Sequence, residues 1–300
     1  MTQKADYIPF IYMLILLKII TYIIGHIPRP LALVCGRLAG RLVYLVDKRH
    51  RKTVMDNLAM AYRGQLDEAR MRATARGVFE NLGMTAFEFT RLPWLGKRDI
   101  DKFVECVGKE HLDAALAKGR GVMLYTAHFG NWELMAAWYG LAGYKLDIVV
   151  RDLDSPLMDT FVTWARSRPG NTIVSKGRSM RKLIKCLSAN GIAGILLDQN
   201  VADVEGVFVD YFGVPACTNK GPATLALSTG AAMVPTFIVR EGARHTIFIG
   251  QETALVNTGD KEADVVKNTA ACTRVIEEMV RKHPEQWFWV HRRWKTRPKT

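Results

Sequence analysis

The sequence predicts an α/β protein, with a mixed, mostly buried sheet flanked by helices and, ahead of it, an N-terminal hydrophobic membrane helix and a helical membrane-proximal region. Three observations lead there. Ile8 to Gly25, "IPFIYMLILLKIITYIIG", is almost wholly apolar. Leu66 to Leu92 carries apolar residues at helical spacing with no proline. Beyond Pro93, short Val-, Ile- and Leu-rich runs alternate with helical stretches, the pattern of a sheet covered on both faces. The 300 residues can bury a large core. Hydrophobic and charged fractions of 49% and 24% exclude wholesale disorder. The expected division is 1–28 as anchor and 29–300 as one domain, helical over 29–93 and α/β over 94–300.

In a helix, the first run reaches about 27 Å, close to a hydrocarbon core of about 30 Å. A cleaved signal peptide fits less well, because "GHIPRP" has no small-x-small site. A buried core helix is the other alternative. Lys18, near the middle, leaves room for a tilted or monotopic insertion with its amine snorkelling to the interface. Arg29, Arg37, Arg41, Lys48, Arg49, Arg51 and Lys52 follow the run, whereas only Lys4, offset by Asp6, precedes it. That bias puts the main body on the cytoplasmic side. Arg37 and Arg41 share a helical face beside Leu38, Leu42 and Leu45, suited to a lipid headgroup layer or to plain solvent.

In the main body, "GVMLYTAH", "LDIVV", "NTIVS", "GIAGILLD" and "AAMVPTFIV" read as buried strands, with helices at 131–142, 155–168, 178–189, 219–230 and 261–282. The five cysteines (Cys35, Cys106, Cys186, Cys217 and Cys272) are dispersed, with no CxxC pair. They read as reduced thiols, neither a disulfide framework nor a zinc site.

The stretch "LYTAHFGNWELMAAW" holds the first chemical candidates. "GVMLYTA" is the strand, "FGN" the turn, Asn131 an N-cap, and Glu133 falls on the first helical turn. A histidine on the turn and a glutamate reaching back can form a pair in which the carboxylate accepts one imidazole N–H and leaves the other nitrogen as a base. Equally, Glu133 can merely complement the helix dipole and His128 be a satisfied turn residue. Asp198 and Gln199 follow "GIAGILL" at the carboxyl end of a strand, and Arg151 ends "LDIVV", where α/β proteins place their sites. "TNKGPA", Thr218 to Ala223, can cradle an anion through backbone amides or simply cap a helix.

Taken in order, "RHRKTVMDNLAMAYRG", "AHFGNWE", "VVRDLDSPLMDTFVTWARSRPGN", "GIAGILLDQN", "VFVDYFGVPACTNKGPATLALSTGAAMVP" and "EQWFWVHRRWK" span nearly the whole chain. The chain thereby resembles the bacterial lipid A biosynthesis acyltransferases (lauroyl and myristoyl transferases), part of the wider HxxxxD/E glycerolipid acyltransferases. The resemblance implies transfer of a fatty acyl chain from a thioester to a hydroxyl of a lipid A precursor or related glycolipid, as a step of lipopolysaccharide biosynthesis. His128 would be the general base oriented by Glu133, with no acyl-enzyme; no GxSxG elbow is present. Arg166, in "TWARSRPGN", would hold a substrate phosphate or the oxyanion charge. Asp198 matches an acidic family position, Gln199 sits beside it, and Arg151 would contact acceptor phosphate. No metal or cofactor is implied, only an acyl-thioester co-substrate. The +13 net charge favours an acidic acyl carrier protein over coenzyme A as donor. The implied location is the bacterial inner membrane, facing the cytoplasm, with membrane lipids and the glycolipid acceptor as partners and no nucleic acid.

Other acceptors, namely a phospholipid, an aminolipid or an inositol mannoside with acyl-CoA, fit the same mechanism, and a non-enzymatic basic membrane adaptor is the rival from another class. Trp287, Trp289 and Trp294 interleave with His291, Arg292, Arg293 and Lys295. This tail suits a membrane interface or a packed C-terminal strand with a solvated edge.

Overall fold

The computed structural model describes residues 2–298, with side chains from residue 9 onward apart from those of 178 and 179. Lys4, Asp6 and Ile8, at the start of the N-terminal run, lie outside the described side chains. Four helices lead: α1 (Thr2–Gly25), α2 (Arg29–Val46), α3 (Lys48–Tyr62) and α4 (Glu68–Phe89). A single turn α5 (Lys97–Ile100), β1 (Val104–Val107) and α6 (Lys109–Leu116) bring the chain to β2 (Val122–Thr126). Then come α7 (Trp132–Leu141), β3 (Leu146–Val150), α8 (Pro156–Ser167), β4 (Thr172–Ser175), α9 (Ser179–Ser188) and β5 (Ile192–Leu196). The chain closes with β6 (Gly206–Tyr211), β7 (Val214–Asn219), α10 (Gly221–Thr229), β8 (Ala232–Glu241), β9 (Arg244–Ile249) and α11 (Lys261–Lys282).

The central sheet has seven strands in the order β1-β9-β8-β2-β5-β3-β4. β8, β2, β5, β3 and β4 run parallel, β9 pairs antiparallel with β8, and β1 is parallel to β9. It is the mixed, helix-flanked sheet expected, with β1 and β9 added at one edge. All five residues of β2 are buried because both faces are covered. Met123 and Tyr125 pack toward α3, α4, α9 and α11, while Val122 and Leu124 pack toward α6 and α7. β6 and β7 form a separate hairpin whose two-residue turn, Phe212 (φ 58°) and Gly213 (φ 71°), has the paired positive φ values of a type I′ turn.

α2 lies directly on α4. A Cβ on Gly40 would strike the Phe79 carbonyl, and one on Gly83 the Gly36 carbonyl, so this approach requires glycine. On the outer side of α2, Leu38, Leu42 and Leu45 are exposed, whereas Arg41 bonds Glu80 at 2.6 Å. Lys18 lies 4.7 Å from the centre of the Trp164 ring on α8 rather than reaching away from the protein.

The C-terminal tail forms no strand, and although Arg292 and Lys295 are exposed, its tryptophans do not lie at the surface. Trp287, Trp289 and Trp294 are all buried and Arg293 is 0% exposed. Arg293 donates to the Cys217 carbonyl (2.9 Å) and to Thr218. The interface reading fails because these rings fill the core against Tyr211 and Phe212. Asn57 of α3 pins the segment by donating to the Trp289 and His291 carbonyls, both at 2.7 Å. Cys217 and Cys272 are buried, Cys35, Cys106 and Cys186 half-buried, and all five are free.

Candidate active site

β2 and β5 are neighbours in register, with Thr126 opposite Leu196. Two residues past each strand come His128 and Asp198. Beyond them the chain turns opposite ways, through α7 to β3 on one side and through α10 to β8 on the other. Such a divergence opens a crevice at the carboxyl ends of parallel strands, and both residues stand in it.

The Asp198 carboxylate is 2% exposed and accepts three hydrogen bonds. They come from the His128 backbone N–H (2.9 Å), His128 Nδ1 (2.9 Å) and Trp287 Nε1 (2.7 Å). Burial pushes this carboxyl up, but the His128 ring and the donated bonds outweigh it and hold it below the usual carboxylate range. An ionised Asp198 fixes the proton on Nδ1. Nε2 then keeps its lone pair, and the Gln199 amide nitrogen stands 3.4 Å from it.

Glu133 was expected to take the imidazole N–H, and it does not. Its oxygens accept from Arg166 Nε (2.9 Å), Arg166 Nη2 (2.5 Å) and Trp132 Nε1 (3.1 Å). The reason is direction: on the first turn of α7 the carboxylate faces the last turn of α8, while the next strand supplies Asp198. Burial pulls the Arg166 guanidinium down, but the Glu133 charge and hydrogen bonds more than offset this, and the net direction is up. Arg166 Nη1 has no hydrogen bond among the described residues and the side chain is 25% exposed, so one donor edge remains available. Asn131 caps α7 as expected, accepting from Leu134 N–H at 3.0 Å. Arg151 is 84% exposed at the rim, 3.7 Å from Asp154.

The turn carrying His128 is held from behind. Gly130 has φ 59°, and a Cβ there would strike the Ile238 carbonyl, so the tight turn requires glycine. Its N–H donates to the Gln286 carbonyl (2.9 Å), and the Phe288 N–H donates to the His128 carbonyl (3.0 Å). Beneath lies a buried cluster that sequence reasoning missed. Glu88 accepts from Asn131 (2.8 Å), Arg240 (2.8 Å) and Arg29 (2.8 Å), and Asn81 bonds both Arg240 and the Gly130 carbonyl. Burial raises the Glu88 carboxyl, but Arg240, the neighbouring His245 ring and Arg29 together prevail and bring it down to about 2. These partners are far apart in sequence, and only the acid in the last turn of α4 and the arginine next to the end of β8 offered any signal.

His128, Glu133, Arg166, Arg151 and Gln199 all border one cavity of about 1260 Å³, larger than the roughly 300–1,000 Å³ of an ordinary ligand cleft. Apolar groups dominate its depths, while Arg151, Lys176, Arg181 and Lys182 stand toward its outer side. His291 borders it too and accepts from the Asn200 N–H at 2.9 Å. Burial is the main force that brings His291 down to about 4. Asn219 and Gly221 of the "TNKGPA" stretch also line it, where the Asn219 side chain caps the Gly221 N–H at 2.9 Å. Among the described residues, no group of three His, Cys, Asp or Glu side chains is placed to hold a metal.

A doubly covered sheet with a carboxylate-held histidine at the head of a deep apolar cavity is the frame of an enzyme that handles lipid. Residues 2–296 match the family model for bacterial lipid A biosynthesis acyltransferases, and the chain belongs to that family. It is 30% identical over 285 residues to the lipid A biosynthesis lauroyltransferase of Escherichia coli, covering 93% of this chain and 90% of that one. It is 26% identical to the palmitoleoyltransferase of the same organism (91% and 88% covered). It is also 29% identical to a phosphatidylinositol mannoside acyltransferase of Mycobacterium tuberculosis (72% and 68% covered). A 1-acyl-sn-glycerophosphate acyltransferase structure from Thermotoga maritima aligns with a TM-score of 0.40 at 13% identity, over 87% of this chain and 99% of that one, a likeness too distant to carry features across. The chain is an acyltransferase.

Proposed function

We propose that this enzyme moves a fatty acyl chain from a thioester to a hydroxyl of a lipid A precursor or closely related glycolipid. The observation that carries the reading is His128, its Nδ1 tied to buried Asp198 and its Nε2 at the head of the cavity. Nε2 takes the proton of the acceptor hydroxyl, and that oxygen attacks the thioester carbonyl. The tetrahedral oxyanion meets the open Nη1 edge of Arg166, which Glu133 holds in place. Collapse forms the ester C–O bond, breaks the C–S bond, and returns the proton from the imidazolium to the departing thiolate. Gln199, close to Nε2, yields its place to the acceptor.

The donor is an acyl carrier protein, because an acidic carrier is drawn to a +13 enzyme whose cavity rim carries Arg151, Lys176, Arg181 and Lys182. Coenzyme A is the alternative, and the relative named for phosphatidylinositol mannoside keeps that acceptor class open.

The membrane assignment rests on α1 and α2. Among the described residues no single helix is long and apolar enough to cross a bilayer, but Pro9–Gly25 and Arg29–Val46, bent by 114°, qualify together. Ile15, Ile19 and Ile23 on one helix, and Leu38, Leu42 and Leu45 on the other, are exposed. A bent pair with outward apolar side chains suits monotopic insertion from the cytoplasmic face of the inner membrane.

The test uses purified protein in detergent with an acyl carrier protein donor and a lipid A precursor, products identified by mass. His128→Ala is expected to lower transfer at least about 10²-fold, the scale of general-base catalysis. Turnover like that of the wild type would refute the mechanism.

A further inference from the structure

Gly194 stands in the middle of β5, itself inside the sheet between β2 and β3. Glycine weakens a strand interior and there often marks close approach by a ligand. Nothing in the backbone requires it: its φ is not among the positive ones. A Cβ added there would meet only Ile148 Cγ1 at 3.7 Å and Leu146 Cδ1 at 3.8 Å, ordinary contacts. Yet Gly194 is half-exposed where the neighbouring Ala193 is buried. What it faces is the cavity. The cavity that His128 borders is also lined by half-exposed Ala136 of α7 and by Gly194, Ile148 and Leu146 on the face of the sheet that packs toward α7, so one branch of it lies between that helix and the sheet.

We infer that this branch receives the donor's hydrocarbon chain and that Gly194 decides how long that chain can be. The inference rests on the acyl-transfer reading above. Gly194 pairs with Leu124, four residues before His128, which sets it about 13 Å below the histidine at about 3.3 Å per strand residue. A thioester carbonyl held at His128 therefore brings roughly the tenth carbon of an extended chain over Gly194, at about 1.3 Å per methylene along a chain of roughly 1.5 Å C–C bonds. A side chain at that point closes the branch to whatever lies beyond. Each buried methylene then lost costs about fourfold in relative rate.

The experiment compares acyl carrier protein donors bearing decanoyl, dodecanoyl, tetradecanoyl and hexadecanoyl chains with one acceptor. Gly194→Leu is expected to lower the tetradecanoyl-to-decanoyl rate ratio at least about tenfold, and Gly194→Ala to lower it less. Ala136→Leu, on the opposite wall and in a helix that tolerates leucine, is expected to move the ratio the same way, so the test survives if Gly194→Leu does not fold. An unchanged ratio in folded Gly194→Ala and Ala136→Leu enzymes that still transfer acyl chains overturns the assignment of this branch and leaves the acyl-transfer reading intact. A preference that shifts only with the acceptor's own chains, in a parallel series of acceptors, overturns the donor assignment. Wild-type protein that transfers no acyl chain overturns both.

Discussion

Asp198→Asn keeps shape and removes a charge, and the surrounding donors dictate how the new amide sits. The amide oxygen can stand where Oδ2 stands, accepting from the His128 N–H and Trp287 Nε1, or where Oδ1 stands, accepting only from Nδ1. The second orientation would set an NH₂ against two buried donors, at about 1–3 kcal/mol for each one left unsatisfied. The first prevails, its NH₂ donates to Nδ1, and the imidazole proton moves to Nε2, where the base should be. Restoring the competent tautomer costs about 3 kcal/mol, and the imidazolium also loses its counter-charge, worth about 1.5–3 kcal/mol as a charged hydrogen bond. At about 1.4 kcal/mol per decade, D198N should turn over about 10³–10⁴-fold more slowly, with an ordinary circular dichroism spectrum. Steady-state acyl transfer in detergent measures it. A folded D198N enzyme keeping more than about a third of the wild-type rate would sink the argument that Asp198 sets the tautomer.

Arg166→Ala should slow transfer about 10²-fold or more, the scale of one lost oxyanion donor, with a larger effect on kcat than on KM. Loss confined to thermal stability would reduce Arg166 to a structural partner of Glu133. Burial holds His291 at about 4 and His245 at about 3, below their ordinary 6.5. A folded-state value that is lowered means the unfolded chain binds the extra proton, so stability is full above about pH 6.5 and falls as pH drops toward about 4, by up to about 1.4 kcal/mol per unit for each histidine. Urea melts from pH 7 to 5 should show that slope, and His291→Gln should roughly halve it; a flat profile would contradict the neutral burial of both rings. Leu38→Glu with Leu42→Glu should weaken association with anionic phospholipid vesicles without changing transfer to a detergent-dispersed acceptor. Undiminished flotation with the vesicles would remove α2 from the membrane contact.

Local rules made much of the fold legible. Asn131 at the head of α7, the helix over 261–282 and the strands β2, β3 and β5 come from caps and from Val-, Ile- and Leu-rich runs, broken in β3 only by Asp147. β1 and β9 escaped because near the edge of the sheet their buried residues alternate with exposed ones, and charge interrupts both. The hairpin β6–β7 escaped because its signal is a turn at Phe212 and Gly213 rather than a hydrophobic period. In the tail, Arg293 looked like surface charge. Composition over a few residues cannot distinguish a solvated guanidinium from one bonded to a carbonyl across the core.

The same boundary runs through the site. By itself the sequence determined the five apolar strands and the helices that alternate with them, and a histidine on the turn after β2. These arise from interactions between residues a few positions apart. Which carboxylate would hold that histidine was decided only when β5 settled beside β2 in register, bringing Asp198 against His128 and leaving Glu133 to Arg166. Strand neighbours are chosen by how whole faces pack, and that choice leaves no mark at a spacing of five residues.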